Sequence, residues 1–260
     1  MDILEHLVVT TQLSLRKIIS HFDVAQPRLI ASRSLLRRID SKFLISEPDA
    51  ANILGEILSA YKIVKAGTER IASYRTLYYD TPNLRCFHDH RRGRRPRHKI
   101  RIRHYDDRAV SFLEVKTRRS SMVSTKARQP QPFDQATIGC QGLNFVDENS
   151  PLDASKLEPS VRTDFNRIML VSEQTNERIT VDTNLRILLN GRSKKLIGAV
   201  IVEVKQSPFS TRTPVMKALR QHGCRPTSAS KYCTANILLR PGLRANCFLP
   251  ALQALKKLTT

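Results

Sequence analysis

Apolar and polar residues alternate with period two through the middle of the chain, which is the spacing of strands with two unlike faces. In Arg97-His98-Lys99-Ile100-Arg101-Ile102-Arg103-His104-Tyr105 the basic side chains share one face and Ile100 and Ile102 the other. Glu114, Lys116 and Arg118 oppose Leu113 and Val115, and Glu203 and Lys205 oppose Val202 and Val204. Arg178-Ile179-Thr180-Val181-Asp182 repeats the pattern. The pattern predicts strands over 35–46, 73–79, 97–106, 110–118, 161–172, 178–189 and 197–206. Helical spacing of Ile3, Leu4, Leu7, Val8, Leu15, Ile18 and Ile19 predicts a leading helix over 3–20. Further helices are expected over 48–62, opened by Pro48 and Asp49, over 83–90, over 213–222 up to Gly223, and over 248–258. Residues 129–158, rich in Pro, Gln, Asp and Ser, read as a loop or small lid with a helix near 133–140.

A row of like charges on one strand face repels itself unless an anion or many carboxylates meet it. Several charged-faced strands can close around one lumen with their apolar faces packed outside by helices. The fold class expected is therefore α+β: a closed antiparallel β-barrel of about eight strands with peripheral helices. Residues 1–36 form an N-terminal helical segment, 37–240 the barrel and 241–260 a helix packing on it. No internal repeat is visible.

Charge sharpens the reading. Lysine and arginine number 44 against 23 acids, a formal net charge of +21. That excess calls for an anionic partner: nucleic acid, a membrane surface or a phosphate-rich molecule. Aromatic content is 6% with no Trp, which disfavours the stacking platforms of single-stranded nucleic-acid binders. The five cysteines lack paired spacing, so neither a disulfide framework nor a zinc site is expected. They read as the reduced thiols of a cytoplasmic protein. The N-terminus lacks a signal-peptide pattern, and no apolar run reaches the ~20 residues of a membrane span. His88, His90, His98 and His104 are numerous enough for a metal cluster, but their spacing suits surface or packing roles better.

The order of motifs resembles the VTC domains, the polyphosphate polymerase domains of the triphosphate tunnel superfamily. Arg38-Ile39-Asp40-Ser41-Lys42-Phe43 resembles their Arg-x-Glu-x-Lys-Tyr opening, with Asp40 where Glu is usual. Leu77-Tyr78-Tyr79-Asp80-Thr81, the basic strand Arg97–Tyr105, and Phe112-Leu113-Glu114-Val115-Lys116 follow. Lys126-Ala127-Arg128, Phe165-Asn166-Arg167, the segments around Asp182 and Glu203, and Ser230-Lys231-Tyr232 continue in family order over roughly 36–235. Ser228 stands in a stretch that can carry a further Lys.

The resemblance implies transfer of the ATP γ-phosphate to a growing inorganic polyphosphate, with Mn or Mg as the divalent cation. Arg101, Arg103, Lys116 and Arg167 would hold the transferring phosphates. Lys42, Arg97, Lys99, Lys126, Arg128 and Lys231 would guide the chain. Glu203 is the first candidate metal ligand and Glu114 the second, each with a structural ion pair as its alternative. The partners expected are ATP and polyphosphate rather than nucleic acid, the chain acting alone or through a separate membrane partner. Two rival activities remain: hydrolysis of triphosphates on the same scaffold, which usually needs a second acid beside Asp40, and non-catalytic polyanion binding.

Overall fold

The computed structural model describes residues 15–33, 38–120 and 124–259. Ten strands form a single antiparallel sheet: β1 (Ile39–Ser46), β2 (Tyr61–Ile63), β3 (Ala72–Asp80), β4 (Arg97–Tyr105), β5 (Val110–Arg118), β6 (Ser124–Gln131), β7 (Glu158–Ser172), β8 (Glu177–Leu189), β9 (Arg192–Lys195) and β10 (Ala199–Gln206). Their order is β1-β10-β8-β7-β3-β4-β5-β6, with β2 paired to β7 and β9 to β8.

The ladder does not close: among the described residues no pair joins β1 to β6. This corrects the closed barrel expected from the strand pattern. The sheet nevertheless curls. Lys116 on β5 senses Glu203 on β10 and Lys42 on β1, which lie five and six places away along the sheet. In a flat sheet those places are roughly 24–29 Å apart at about 4.8 Å per strand, beyond the reach of screened charges. Part of the free edge of β1 is covered by the segment before residue 231, where Thr227 N donates to Lys42 O at 2.7 Å.

Cross-strand register assigns the faces. Lys42 pairs with Glu203, Glu203 with Thr180, Arg167 with Asp182, Lys99 with Lys116 and Lys116 with Lys126. These side chains lie on the concave face. The alternate residues build the outer core. Phe43, Ile45, Ile168, Ile179, Val202 and Val204 pack with the helices Glu47–Glu56 and Pro214–Gln221. Ile100, Ile102, Leu113 and Val115 share a cluster with Phe87 and Val146 of the helices Arg85–Arg91 and Cys140–Asn149.

One half of the concave face is filled. The helix Lys231–Leu239 buries Tyr232, Ala235 and Leu239 in one cluster with Val161, Leu185, Ile187 and Ile201. The helix Leu249–Leu258 adds Leu255 to it. Its carbonyl end presses on the turn before β10: a Cβ at Gly198 would stand 2.7 Å from Leu258 O, and Gly198 has φ +76°. Both conditions demand glycine.

Several expected elements shift. The helix expected over 48–62 ends at Glu56, and Tyr61–Ile63 is strand. The segment read as a loop from 129 begins inside β6, and its helix falls at Cys140–Asn149. Of the leading helix expected over 3–20, residues 15–21 are helical and the part before 15 lies outside the described residues.

Candidate functional site

The open half of the concave face is a lumen of alternating charges. Four carboxylates enter it, and each is held by cations. Glu203 Oε1 accepts from Lys42 Nζ at 2.6 Å and Oε2 lies 2.8 Å from Lys205 Nζ. Glu114, wholly buried, accepts from Arg101 at 2.6 Å and from Lys126 at 3.0 Å. Asp182 receives both Nε and Nη2 of Arg167, at 2.5 and 2.7 Å, together with Lys231 Nζ. Asp40 accepts from Arg38 Nε at 2.9 Å. Burial would raise the pKa of Glu203, Glu114 and Asp182, but the neighbouring cations outweigh it and hold all three well below the usual carboxylate range. All are therefore ionised at neutral pH.

The cations outnumber these acids. Lys99, Lys116 and Lys126 stand side by side across β4, β5 and β6. Lys126 has Glu114, and Lys99 Nζ donates to Ser230 Oγ at 2.9 Å. Lys116 has no carboxylate within ion-pairing distance among the described residues, although Glu203 attracts it across the lumen. Burial, then the charges of Lys99, Lys42 and Arg101, lower its pKa from 10.5 to about 7. Burial lowers Lys99, Lys205 and Lys231 too. Arg103 is 7% exposed; its Nε donates to Thr76 Oγ1 at 3.1 Å. Lys116 thus sits buried in a lumen where most of its charged neighbours are cations.

Local sequence explains the placement. Period-two alternation puts Lys99, Arg101 and Arg103 on the lumen side of β4. Ser230 caps the helix Lys231–Leu239 by accepting from Cys233 N, which starts the helix with Lys231 aimed at Asp182. Tyr232, next in the chain, donates to Asp80, whose carboxylate also accepts from Cys86 N and Phe87 N at the start of the helix Arg85–Arg91.

The structure thus brings together Lys42, Lys99, Arg101, Arg103, Glu114, Lys116, Arg167, Glu203 and Lys231. Lys126 and Arg128 lie on the exposed edge strand, Arg128 over the Phe112 ring at 5.1 Å. Arg97 ends the basic row opposite Arg118 and bonds Arg94 O at 3.4 Å. Sequence reasoning missed the aromatic side of the lumen: Tyr74 stacks on Phe165 with centroids 5.3 Å apart, and both face Arg103 and Arg167. Their alternation with polar residues on β3 and β7 was the available signal. His98 and His104 are buried on the opposite face from the basic row. A separate cavity of about 630 Å³ lies outside the lumen, between β4–β6 and residues 148–151.

A curled antiparallel sheet around a cationic lumen is the architecture of the triphosphate tunnel class. The VTC domain family matches residues 37–140 and 144–240, and the chain belongs to that family. Among curated proteins none matches the chain in sequence. Similar solved structures include a candidate adenylate cyclase from Bacillus halodurans, at 12% identity over 75% of this chain and 94% of that one, TM-score 0.49. Another is the candidate adenylyl cyclase HpAC1 from Hippeastrum, described by a dominant triphosphatase activity, at 17% identity over 76% and 95%, TM-score 0.47. Among the described residues no helix is long and apolar enough to cross a membrane.

Proposed function

We propose that the lumen binds a tri- or polyphosphate chain and transfers the ATP γ-phosphate onto it. The carrying observation is the row Lys99, Lys116 and Lys126 facing Lys42, with Lys116 lacking any acid within ion-pairing distance among the described residues. A polyphosphate supplies about one negative charge per phosphate along its length, which suits a row of cations at strand spacing.

In this reading Arg101, Arg103, Lys116 and Arg167 hold the reacting phosphates, and arginine forks bind phosphate oxygens two at a time. Lys42, Lys99 and Lys231 steer the chain, with Arg97, Lys126 and Arg128 at the margins. Phosphoryl transfer mainly requires positioning and charge stabilisation. The attacking phosphate oxygen is already anionic, so no side chain needs to remove a proton.

The family implies a divalent cation. No group of three His, Cys, Asp or Glu side chains stands together among the described residues, so a metal held by protein alone does not fit. A metal held largely by phosphate oxygens does fit, because Mg or Mn commonly takes one or two carboxylates plus substrate. Glu203 is the ligand for it: its side chain is 15% exposed, whereas Glu114 is fully buried between Arg101 and Lys126. The metal would supply charge neutralisation on the phosphate oxygens.

The test is incubation of purified protein with ATP and Mn or Mg, followed by sizing of the product on a gel and measurement of ADP and free phosphate. Polymer with matching ADP supports the reading. Free phosphate without polymer points instead to hydrolysis, a reading favoured by Asp40 standing diagonal to Glu203 on the neighbouring strand. Neither product, with polyphosphate still bound, leaves a binding module.

A further inference from the structure

Arg103 has an unusual set of neighbours. It is 7% exposed and has no acid within ion-pairing distance among the described residues. Among the described residues its hydrogen bond runs from Nε to Thr76 Oγ1. A buried guanidinium normally demands a counter-ion. Here the remaining anchors are two aromatic faces, Tyr74 at 5.5 Å and Phe165 at 5.9 Å from Cζ. Arg167 uses the same pair at 5.1 and 5.2 Å, and Lys231 Nζ lies 4.5 Å from the Phe165 centroid. The rings are nearly parallel, at 10°. Three cations from β4, β7 and the helix Lys231–Leu239 thus gather around one two-ring stack.

We infer that the Tyr74–Phe165 stack positions Arg103 for a phosphate ligand without neutralising it, whereas Arg167 and Lys231, which lean on the same rings, are paired with Asp182. The physical distinction is from the carboxylates nearby. Asp182 and Glu114 fix a cation but cancel its charge toward an incoming anion. A ring face attracts a cation through its quadrupole and carries no net charge, so the positive field of the lumen survives. Both ring centroids lie close to Arg103 Cζ, at 5.5 and 5.9 Å, and among the described residues no acid pairs with its N–H groups. Tyr74 and Phe165 are positioning residues, acting through Arg103. The inference extends the phosphate-binding reading above and rests on it for the identity of the ligand.

The test compares Phe165→Leu, Tyr74→Leu and Tyr74→Phe with the wild type. Among the described residues the Tyr74 hydroxyl hydrogen-bonds only Met169 Sδ, at 4.0 Å, so Tyr74→Phe keeps the ring and gives up little else. The first readout is the order of the Arg103 Nε–Hε group by NMR relaxation in ligand-free protein. The second is tripolyphosphate affinity by calorimetry. Both leucine variants should loosen Arg103 and weaken tripolyphosphate binding about five- to thirtyfold, the scale of a desolvated cation–π contact; Tyr74→Phe should match the wild type in both. Leucine variants that leave Arg103 ordered and the affinity unchanged would reduce the stack to ordinary packing and overturn the inference. If wild-type protein fails to bind tripolyphosphate, the phosphate reading falls, while the Nε–Hε comparison still decides whether the rings hold Arg103. Should Phe165→Leu not fold, the two Tyr74 variants carry the same comparison.

Discussion

Lys116 is where the cost of the lumen is concentrated. The unfolded chain keeps this lysine protonated up to its ordinary 10.5, the folded chain only to about 7. Between those values the unfolded state holds the extra proton, so the contribution of this residue to stability rises with pH from about 7 toward 10.5 and is least below 7. A bound polyphosphate reverses the balance by favouring the charged amine. Binding near pH 8 should therefore take up a proton, and affinity should fall as pH rises through that window. Calorimetry in two buffers of different ionisation enthalpy measures the uptake directly; no uptake would mean that Lys116 does not face the ligand. Lys116→Met should stabilise the ligand-free fold by about 1 kcal/mol or more, as an uncompensated buried charge is removed. It should also weaken polyphosphate binding roughly ten- to a hundredfold, the worth of a charged hydrogen bond. Glu203→Gln is expected to act oppositely. Metal-dependent ATP turnover should be lost and polyphosphate binding kept, since the anion then meets two freed lysines, Lys42 and Lys205. The fold should lose about 1–2 kcal/mol because those lysines, 30% and 14% exposed, lose their acid. Full turnover in this variant would remove Glu203 as the metal ligand.

At the scale of elements, legibility followed how unlike the two faces of a segment are. β4, β5 and β10 carry charges on one side and Ile, Leu or Val on the other, so alternation fixed both their extent and their lumen side. β6, Ser-Thr-Lys-Ala-Arg-Gln-Pro-Gln, has almost no apolar residue to alternate. It is an edge strand whose Pro130 and charges suit an exposed rim, and only pairing with β5 makes it a strand. The helix Lys231–Leu239 was invisible for the converse reason. Its buried residues Tyr232, Cys233, Ala235, Asn236 and Leu239 share one face, but Ile237 and Leu238 stand on the other, leaving no polar stripe to mark a period. Its placement supplies half of the lumen floor and the position of Lys231. The basic residues of the site, and Glu114 and Glu203 with them, were thus readable from strand alternation, whereas which cations each acid clamps and the meeting of Tyr74 with Phe165 depend on strand order, which alternation does not encode. Ser230 ties this helix to the site by accepting from both Cys233 N and Lys99 Nζ. Ser230→Ala should cost about 1 kcal/mol of stability by loss of the cap, read in denaturant titration. It should also release Lys99 and change polyphosphate affinity; an unchanged affinity would place Lys99 outside the binding path.

For the whole molecule, a ligand that binds only the folded state stabilises it by mass action, about 2.7 kcal/mol at a hundred times its Kd. For a chain of this size that is a rise of roughly 5–10 °C in Tm. Tripolyphosphate should give such a shift where sulfate at equal ionic strength gives a much smaller one. Equal shifts would mean that the +21 net charge is merely being screened.

The row of Lys99, Lys116 and Lys126, in which only Lys126 has an acid within ion-pairing distance among the described residues, also bears on handling the protein. A cavity that gains stability from an anion will scavenge one from a cell extract, whether polyphosphate, nucleotide or nucleic-acid fragment. Freshly isolated protein should carry phosphorus in excess of buffer, measurable by elemental analysis after desalting. Preparations stripped in high salt should melt lower than those that were not. Assays begun with unstripped material would then start from a primed state, and an apparent lag or its absence would report the history of the sample.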